Sequence, residues 1–276
     1  MTSILNRYNN LTQRIIAALI GALVIILSLY YGPWTYFFVF LFILVITQLE
    51  FYKLVGLDGL VPLKTFGTLC GCALFILSFF IEFGYLHYKY YFLIFPVVAC
   101  VYLIYLYKKS GTKPFTGIAF TFLGIVYVAI PFSLLNVIAF IDDQFNYQLI
   151  LGSLLILWAN DTGAYFAGVR FGKRKLFERV SPKKSWEGSI GGLILAMGMT
   201  LAIAELSSIL PLFSWIGIGL IVVICGTYGD LVESLFKRSI EIKDSGRLIP
   251  GHGGFLDRFD GLLLSAPFIA AFLKIF

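Results

Sequence analysis

Charged residues and glycines are concentrated near the end of this chain, between two apolar stretches. Residues 234–260 read SLFKRSIEIKDSGRLIPGHGGFLDRFD, whereas most of the chain is hydrocarbon. Ionisable groups are costly beside lipid, so we expect a use for them. Carboxylates and cations together suit a complex of a metal ion with nucleotide and phosphate groups. The ionisable residues of the segment include Lys237, Arg238, Lys243, Asp244, Arg247, His252, Asp257, Arg258 and Asp260.

Three aspartates in and beside this segment are candidate metal ligands. Asp230 follows the apolar run IGIGLIVVICGTYG and begins a polar stripe at helical spacing, which Glu233, Ser234, Lys237, Arg238 and Glu241 continue. Asp257 and Asp260 are three residues apart, so on a helix they share a face near its positive end. Mg²⁺ prefers one or two carboxylates together with phosphates and water. The alternatives are a solvated helix end for the stripe, and helix capping with a salt bridge to Arg258 for Asp257 and Asp260.

The run of Pro, Gly and His at 250–254 is a candidate phosphate-binding loop. Glycine permits close backbone approach, so the amides of Gly253 and Gly254 are expected to face phosphate rather than to form a plain turn. Lys243 and Arg247 add positive charge nearby. His252 either donates to phosphate or transfers a proton, or else makes a structural hydrogen bond.

A second basic segment, SPKKSWEG, precedes an apolar stretch. Ser181 and Pro182 suit the cap and the first position of a helix. Lys183 and Lys184 would then place two cations beside the helix start, a site suited to anions; ordinary loop charge is the alternative. Glycines at 188, 191 and 192 predict close helix packing.

Asp161 lies in the sixth apolar stretch, between Asn160 and Thr162. An acid at that depth is expected to face a polar cavity rather than lipid. The sequence leaves open whether it contacts substrate or supports residues that do.

The pattern from Ser234 to Asp260 resembles the signature of the phosphatidate cytidylyltransferases, also called CDP-diacylglycerol synthases. It reads Ser-x-hydrophobic-Lys-Arg, four residues, Lys-Asp-x-Gly, two residues, and Ile-Pro-Gly-His-Gly-Gly-Phe-x-Asp-Arg-Phe-Asp, without a departure. NDTGAYFAG at 160–168 and SPKKSWEGSIGG at 181–192 are similar to the same family, which often has threonine where this chain has Ser185. The first 150 residues match only in hydrophobic character and number of spans.

This resemblance implies an enzyme of phospholipid synthesis that transfers the cytidylyl group of CTP to phosphatidic acid, releasing pyrophosphate. It implies Asp230 and Asp257 as metal ligands, with Asp260 as a third candidate, Mg²⁺ as cofactor, and a second metal ion left open. The other candidate catalytic residues are Lys237, Arg238 and His252, and the candidate substrate-binding residues are Ser181, Lys183, Lys184, Ser185, Lys243, Asp244, Arg247, Gly253, Gly254, Arg258 and Asp161.

Two other functions share some of these features. A secondary transporter of a phosphorylated solute would also bury acids, but the polar residues crowd one membrane face and no inverted repeat is present. A CTP-dependent lipid kinase would share the cations but transfer the γ-phosphoryl group.

The composition predicts the fold that must position these residues. The chain is 59% hydrophobic and 13% charged, with a mean hydropathy of +0.91; soluble domains carry about 25% charged residues. We therefore predict an all-α polytopic integral membrane protein of about nine helices, with N-terminal helices in 1–141 and a catalytic region in 142–276. Pro131 is expected to kink or divide the fifth span. The predicted spans are 14–31, 33–52, 65–82, 90–107, 115–141, 148–168, 187–207, 211–232 and 261–276.

The cations predict the orientation. Alternate loops hold 19 of the 21 Lys and Arg residues, and only Lys89 and Lys274 fall on the other side. The positive-inside rule makes the basic side cytoplasmic, with the N-terminus and the candidate site there. The net charge of +6 is expected to meet anionic lipid, not nucleic acid. The expected partners are CTP, phosphatidic acid and membrane lipid, and a homodimer is left open.

Overall fold

The computed structural model describes residues 10–57, 59, 61–108, 113–141, 144–242, 246 and 253–276. Helices make up most of this part of the chain. The α-helices are α1 (Asn10–Tyr30), α2 (Pro33–Leu57), α3 (Lys64–Glu82), α4 (Ile94–Tyr107), α5 (Pro114–Gly124), α6 (Ile130–Ala139), α7 (Tyr147–Phe171), α8 (Trp186–Leu206), α9 (Leu212–Ser239) and α10 (Leu256–Ile275). A 3₁₀ segment, Tyr88–Leu93, leads into α4.

Within the described residues, seven helical stretches are long and apolar enough to cross a membrane. They are α2, α3, the 3₁₀ segment with α4, the unit from Pro114 to Ala139, α7, α8 and α9. The apolar part of α1 is shorter, Ile15–Tyr30, and α10 carries several charges, among them Asp257 and Asp260. The prediction of an all-α polytopic integral membrane protein is confirmed, whereas the number nine stays a prediction.

The fifth span is interrupted in its hydrogen bonding but continues as one helical unit. A π-helical turn, Ile125–Ala129, joins α5 to α6, and Pro131 is the second residue of α6. Proline has no N–H to donate, so the helix must change its hydrogen-bond pattern nearby. The disruption predicted at Pro131 therefore takes the form of a π-helical turn.

In the part of the chain that the structure describes, two short pairs of antiparallel strands accompany the helices. The first pairs β1 (Phe140–Ile141) with β2 (Gln144–Phe145), and the second pairs β3 (Lys175–Phe177) with β4 (Ser181–Ser185).

The second hairpin corrects one prediction about Ser181 and Pro182. These residues do not begin a helix, because they lie in β4. The cap of α8 is Ser185, whose hydroxyl accepts a hydrogen bond from the Gly188 amide at 3.2 Å. The strand pairing satisfies the backbone up to Ser185, and the helix starts only where that pairing ends.

Close helix packing at the glycines of α8 is confirmed. A Cβ at Gly192 would lie 2.8 Å from the Asn160 carbonyl oxygen, and one at Gly188 would lie 2.9 Å from that of Ala164. These distances are below any normal contact, so only glycine lets α8 approach the backbone of α7 this closely. The approach holds the basic hairpin beside the polar part of α7.

The largest hydrophobic core of the described residues runs through both predicted regions of the chain. It includes Tyr36 and Phe40 from α2, Phe132 from α6, and Trp215 and Phe259 from α9 and α10. The last helix packs on α9, α6 and α2. The division at residue 141 stays a prediction. Within this core, the N-terminal helices are packed directly against α10.

Candidate active site

An acidic cluster lies where α9 crosses α10. Asp230 and Glu233 come from α9 and Asp260 from α10, and one carboxylate oxygen of each lies within 4.8 Å of the others. Glu233 is only 1% exposed, and its Oε1 has no hydrogen-bond partner among the described residues. A buried carboxylate oxygen without a partner is unfavourable, and a cation with oxygen ligands would satisfy it. The cluster therefore fits a divalent metal ion.

Glycine brings the two helices close enough to form this cluster. A Cβ at Gly229 would lie 2.5 Å from the Asp260 carbonyl oxygen and 2.9 Å from the Cα of Gly261. The backbones therefore touch one residue before Asp230 and beside Asp260. Small residues at a crossing are what permits such contact between membrane helices.

Lys237 connects Asp257 to the cluster. Its ammonium group donates to Glu233 Oε2 at 2.9 Å and to Asp257 Oδ1 at 2.5 Å, and the side chains of all three residues are largely buried. Asp257 Oδ2 accepts the Gly254 amide at 3.1 Å. Gly254 lies before the helix, so this contact does not cap α10, and the ion pair that Asp257 forms within the described residues is to Lys237 rather than to Arg258. The carboxylates that meet Asp230 are Glu233 and Asp260, while Asp257 joins the network through Lys237.

The basic hairpin supplies a second cation to the cluster. Lys184 Nζ lies 2.6 Å from Asp230 Oδ2 and donates to the Thr227 carbonyl oxygen at 3.1 Å. Lys183, its neighbour, is exposed on the hairpin. The structure thus separates two lysines that the sequence treats as a pair, because successive residues of a strand point to opposite faces.

Asp161 belongs to the same polar region. It is accessible on α7, and its charge interacts with those of Asp230, Lys184 and Arg258. That this acid faces a polar cavity stays a prediction. Arg258 is exposed at the start of α10.

Three further predicted residues have structural contacts. The buried hydroxyl of Ser185 caps α8. Arg238 donates to the Ile242 carbonyl oxygen at 3.1 Å, beyond the end of α9. Gly253 has a φ of +82°, and a Cβ there would lie 2.5 Å from Asp257 Oδ2, so this position requires glycine.

Lys243, Asp244, Arg247 and His252 lie outside the described residues.

Sequence reasoning missed two buried polar groups from the N-terminal helices. Glu50, on α2, accepts the backbone amides of Phe255 and Leu256. The Tyr127 hydroxyl, in the π-helical turn, is buried without a hydrogen-bond partner in the described part, and the charges of Glu233, Asp260 and Asp230 act on it. An acid inside the apolar stretch of α2 is a signal that could have identified Glu50. Nothing distinguishes Tyr127 among the 16 tyrosines.

The fold and the site define a polytopic membrane protein with a candidate metal site between its last two helices. A family model described as the Cytidylyltransferase family matches residues 12–276. The chain belongs to this family.

Several curated proteins named phosphatidate cytidylyltransferase are similar to the chain. The one from Bacillus subtilis (strain 168) is 36% identical over 175 residues, which are 63% of this chain and 65% of that protein. The one from Haemophilus influenzae is 44% identical over 136 residues, 48% of this chain and 47% of the relative. The one from Staphylococcus aureus (strain COL) is 39% identical over 168 residues, 60% and 63% of the two chains. The matched segments thus span from about half to just under two thirds of these relatives.

Proposed function

We propose that the protein transfers the cytidylyl group of CTP to phosphatidic acid, giving CDP-diacylglycerol and pyrophosphate. The observation that carries the proposal is the cluster of Asp230, Glu233 and Asp260, with Lys184 and Lys237 paired to it. Family membership and the names of the relatives support the substrates.

The reaction needs neutralisation of charge more than it needs a base. A phosphate oxygen of phosphatidic acid, already an anion, attacks the α-phosphorus of CTP. The bond from that phosphorus to the oxygen bridging the α- and β-phosphates breaks, and pyrophosphate leaves with the electron pair. Catalysis then consists of holding two anions in line and offsetting their charge.

The acidic cluster is proposed to hold Mg²⁺, and the number of ions is left open. Asp230, Glu233 and Asp260 would be its ligands, and Asp257 stays a candidate because Lys237 links it to Glu233. When bound, the ion would supply charge neutralisation to the triphosphate and its leaving group.

The two paired lysines would have different roles, Lys184 acting on the phosphates directly and Lys237 holding the carboxylates in place. Lys184 and Lys237 are held by carboxylates, so each is placed before substrate binds. Lys184 is accessible enough to turn towards a phosphate oxygen, since its side chain is 24% exposed. Lys237 is more enclosed and is suited to fixing the geometry of Glu233 and Asp257.

We propose that this end of the helices faces the cytoplasm, where CTP is present. The distribution of cations between loops supports this orientation. The contact of Glu50 with Phe255 and that of Lys184 with Asp230 both lie at this basic end of the helices. The ion pair of Lys274 with Glu82, at 3.5 Å, lies at the opposite helix ends.

The by-product distinguishes this proposal from its alternatives. Purified protein would be given CTP, Mg²⁺ and vesicles containing phosphatidic acid, and the soluble products would be separated. Pyrophosphate without CDP is the expected result. Release of CDP would indicate a lipid kinase. Release of neither pyrophosphate nor CDP would be the result expected of a transporter. Either outcome would overturn the proposal.

The matched pair of variants for this assay is Asp230→Asn and Glu205→Gln. Glu205 is an exposed acid near the end of α8, away from the cluster. We expect pyrophosphate release to be lost in the first variant and kept in the second.

A further inference from the structure

Glu50 is a buried acid in the N-terminal half of the molecule, far in sequence from the acidic cluster. It lies near the end of α2 and is 5% exposed. A buried carboxylate is unfavourable unless donors surround it, so its partners indicate its role.

Those partners are backbone amides at the start of α10. Glu50 Oε2 accepts a hydrogen bond from the Phe255 amide at 2.7 Å and from the Leu256 amide at 3.3 Å. The first amides of a helix have no carbonyl partner within that helix. The residue at the cap position of α10 is Phe255, and its side chain does not accept a hydrogen bond from these amides. The carboxylate of α2 therefore takes the place of a local cap, and its negative charge lies at the positive end of the helix dipole.

The connection between α9 and α10 also passes Glu50. A Cβ at Gly246 would lie 3.1 Å from the carboxyl carbon of Glu50. The same side chain thus contacts the connection and the first residue of α10.

We propose that Glu50 is a positioning residue: it caps α10 from α2 and so fixes the carboxylates of Asp257 and Asp260. Asp257 follows the capped Leu256 directly, and Asp260 lies about one turn further along. A shift of this turn would separate Asp260 from Asp230 and Glu233, and Asp257 from Lys237. The effects on catalysis and on metal binding rest on the proposed function, but the effect on α10 does not.

Three variants test this role. Glu50→Ala removes the acceptor, whereas Glu50→Gln keeps an oxygen that can accept both amides. The control is Gln48→Leu, because Gln48 is equally buried on α2 but donates to the Gly67 carbonyl oxygen of α3 at 3.0 Å.

Two measurements suit the folded, detergent-solubilised protein. Amide hydrogen exchange over 253–260, resolved by mass spectrometry, reports on the cap without metal or substrate. Binding of Mn²⁺, followed by electron paramagnetic resonance, reports on the acidic cluster.

We expect Glu50→Ala to accelerate exchange in 253–260 and to weaken Mn²⁺ binding at least about tenfold, as loss of a group that orients ligands does. Glu50→Gln should restore binding to within about threefold of the unchanged protein, since the acceptor remains. Gln48→Leu should leave both the exchange in 253–260 and Mn²⁺ binding unchanged, even if the protein unfolds at a lower temperature.

Three outcomes would overturn the role of Glu50. They are unchanged exchange and Mn²⁺ binding in a folded Glu50→Ala protein, equal losses in the Gln and Ala variants, and equal losses in Gln48→Leu. A protein that releases no pyrophosphate from CTP would refute the proposed function instead, because the exchange measurement would still decide the capping by Glu50.

Discussion

At the scale of single residues, the candidate metal site consists of carboxylates that lie close enough to share one cation. The structure shows Asp230, Glu233 and Asp260 in that arrangement, with Lys184 and Lys237 as counter-ions. A cluster of acids at a helix crossing would repel itself without these cations or a metal. The roles of individual side chains are therefore best tested by changes that keep their shape.

The first prediction concerns the acids. Asp230→Asn, Glu233→Gln and Asp260→Asn should each lower turnover of CTP at least about a hundredfold, which is roughly 3 kcal/mol of barrier. The reason is the loss of a proposed metal ligand with little change in volume. Initial rates at limiting Mg²⁺ check this, with Glu205→Gln as control. Near-normal rates in a folded variant would remove that residue from the proposed metal site.

The second prediction separates two adjacent lysines. Lys184→Gln should lower turnover at least about tenfold, because it removes the ion pair with Asp230 and a cation beside the phosphates. Lys183→Gln should have a much smaller effect, since Lys183 is exposed on the hairpin. Rates for the two variants at the same CTP concentration check the difference. Equal losses would mean that the hairpin contributes only general surface charge.

At the scale of elements, glycines at helix crossings determine where the site forms. Gly229 lets α9 touch α10 beside Asp230 and Asp260, and the glycines of α8 bring α7 against the basic hairpin. The arrangement of the candidate site therefore depends on these close helix crossings as well as on its charged groups.

The third prediction tests one crossing. Gly229→Ala should lower both stability and turnover, because the new methyl group would meet the Asp260 carbonyl oxygen at 2.5 Å. Overpacking of this kind costs about 1–3 kcal/mol of unfolding free energy. Thermal unfolding in detergent and CTP turnover would be measured together. The control is Gly198→Ala in α8, where nothing lies within 4 Å of a new Cβ. A fully active Gly229→Ala protein would show that the close approach is dispensable.

The elements also show what the sequence could and could not predict. Helical spacing placed Asp230, Glu233 and Lys237 on one face of α9, because a period near 3.6 residues is a local property. The local pattern at Ser181 suits a helix cap, but pairing with β3 takes precedence there. The contact of Glu50 with Phe255 joins residues 205 positions apart, and no local pattern encodes such a partner.

At the scale of the whole molecule, the N-terminal helices form membrane spans and also contact the start of α10 beside the candidate site. The core is continuous from α2 through α6 to α10, and Glu50 crosses the predicted boundary between the regions. The resemblance is sharp only in the later segments, where the charged motifs lie. Apolar packing tolerates many sequences with the same pattern. The sequence of the first half therefore predicts its membrane spans more readily than the contacts between them.

The fourth prediction concerns orientation. Single cysteines at Lys113 and Gln144, both exposed, would be introduced in a protein without its native cysteines. An impermeant thiol reagent on intact cells should label position 144 and not position 113, because the basic loops are expected inside. Permeabilised cells provide the control, in which both positions should react. The reverse pattern on intact cells would place the proposed site on the face where CTP is absent.

Cytidylyl transfer to a lipid moves the α-phosphorus of CTP into that lipid, and this movement can be measured. Purified protein would be incubated with Mg²⁺, vesicles of phosphatidic acid and CTP labelled at either the α- or the γ-phosphorus, and the lipid would then be extracted. We predict that the α-label enters the lipid and the γ-label stays in soluble pyrophosphate, with Asp230→Asn transferring neither. Entry of the γ-label into lipid, or of no label at all, would contradict the account.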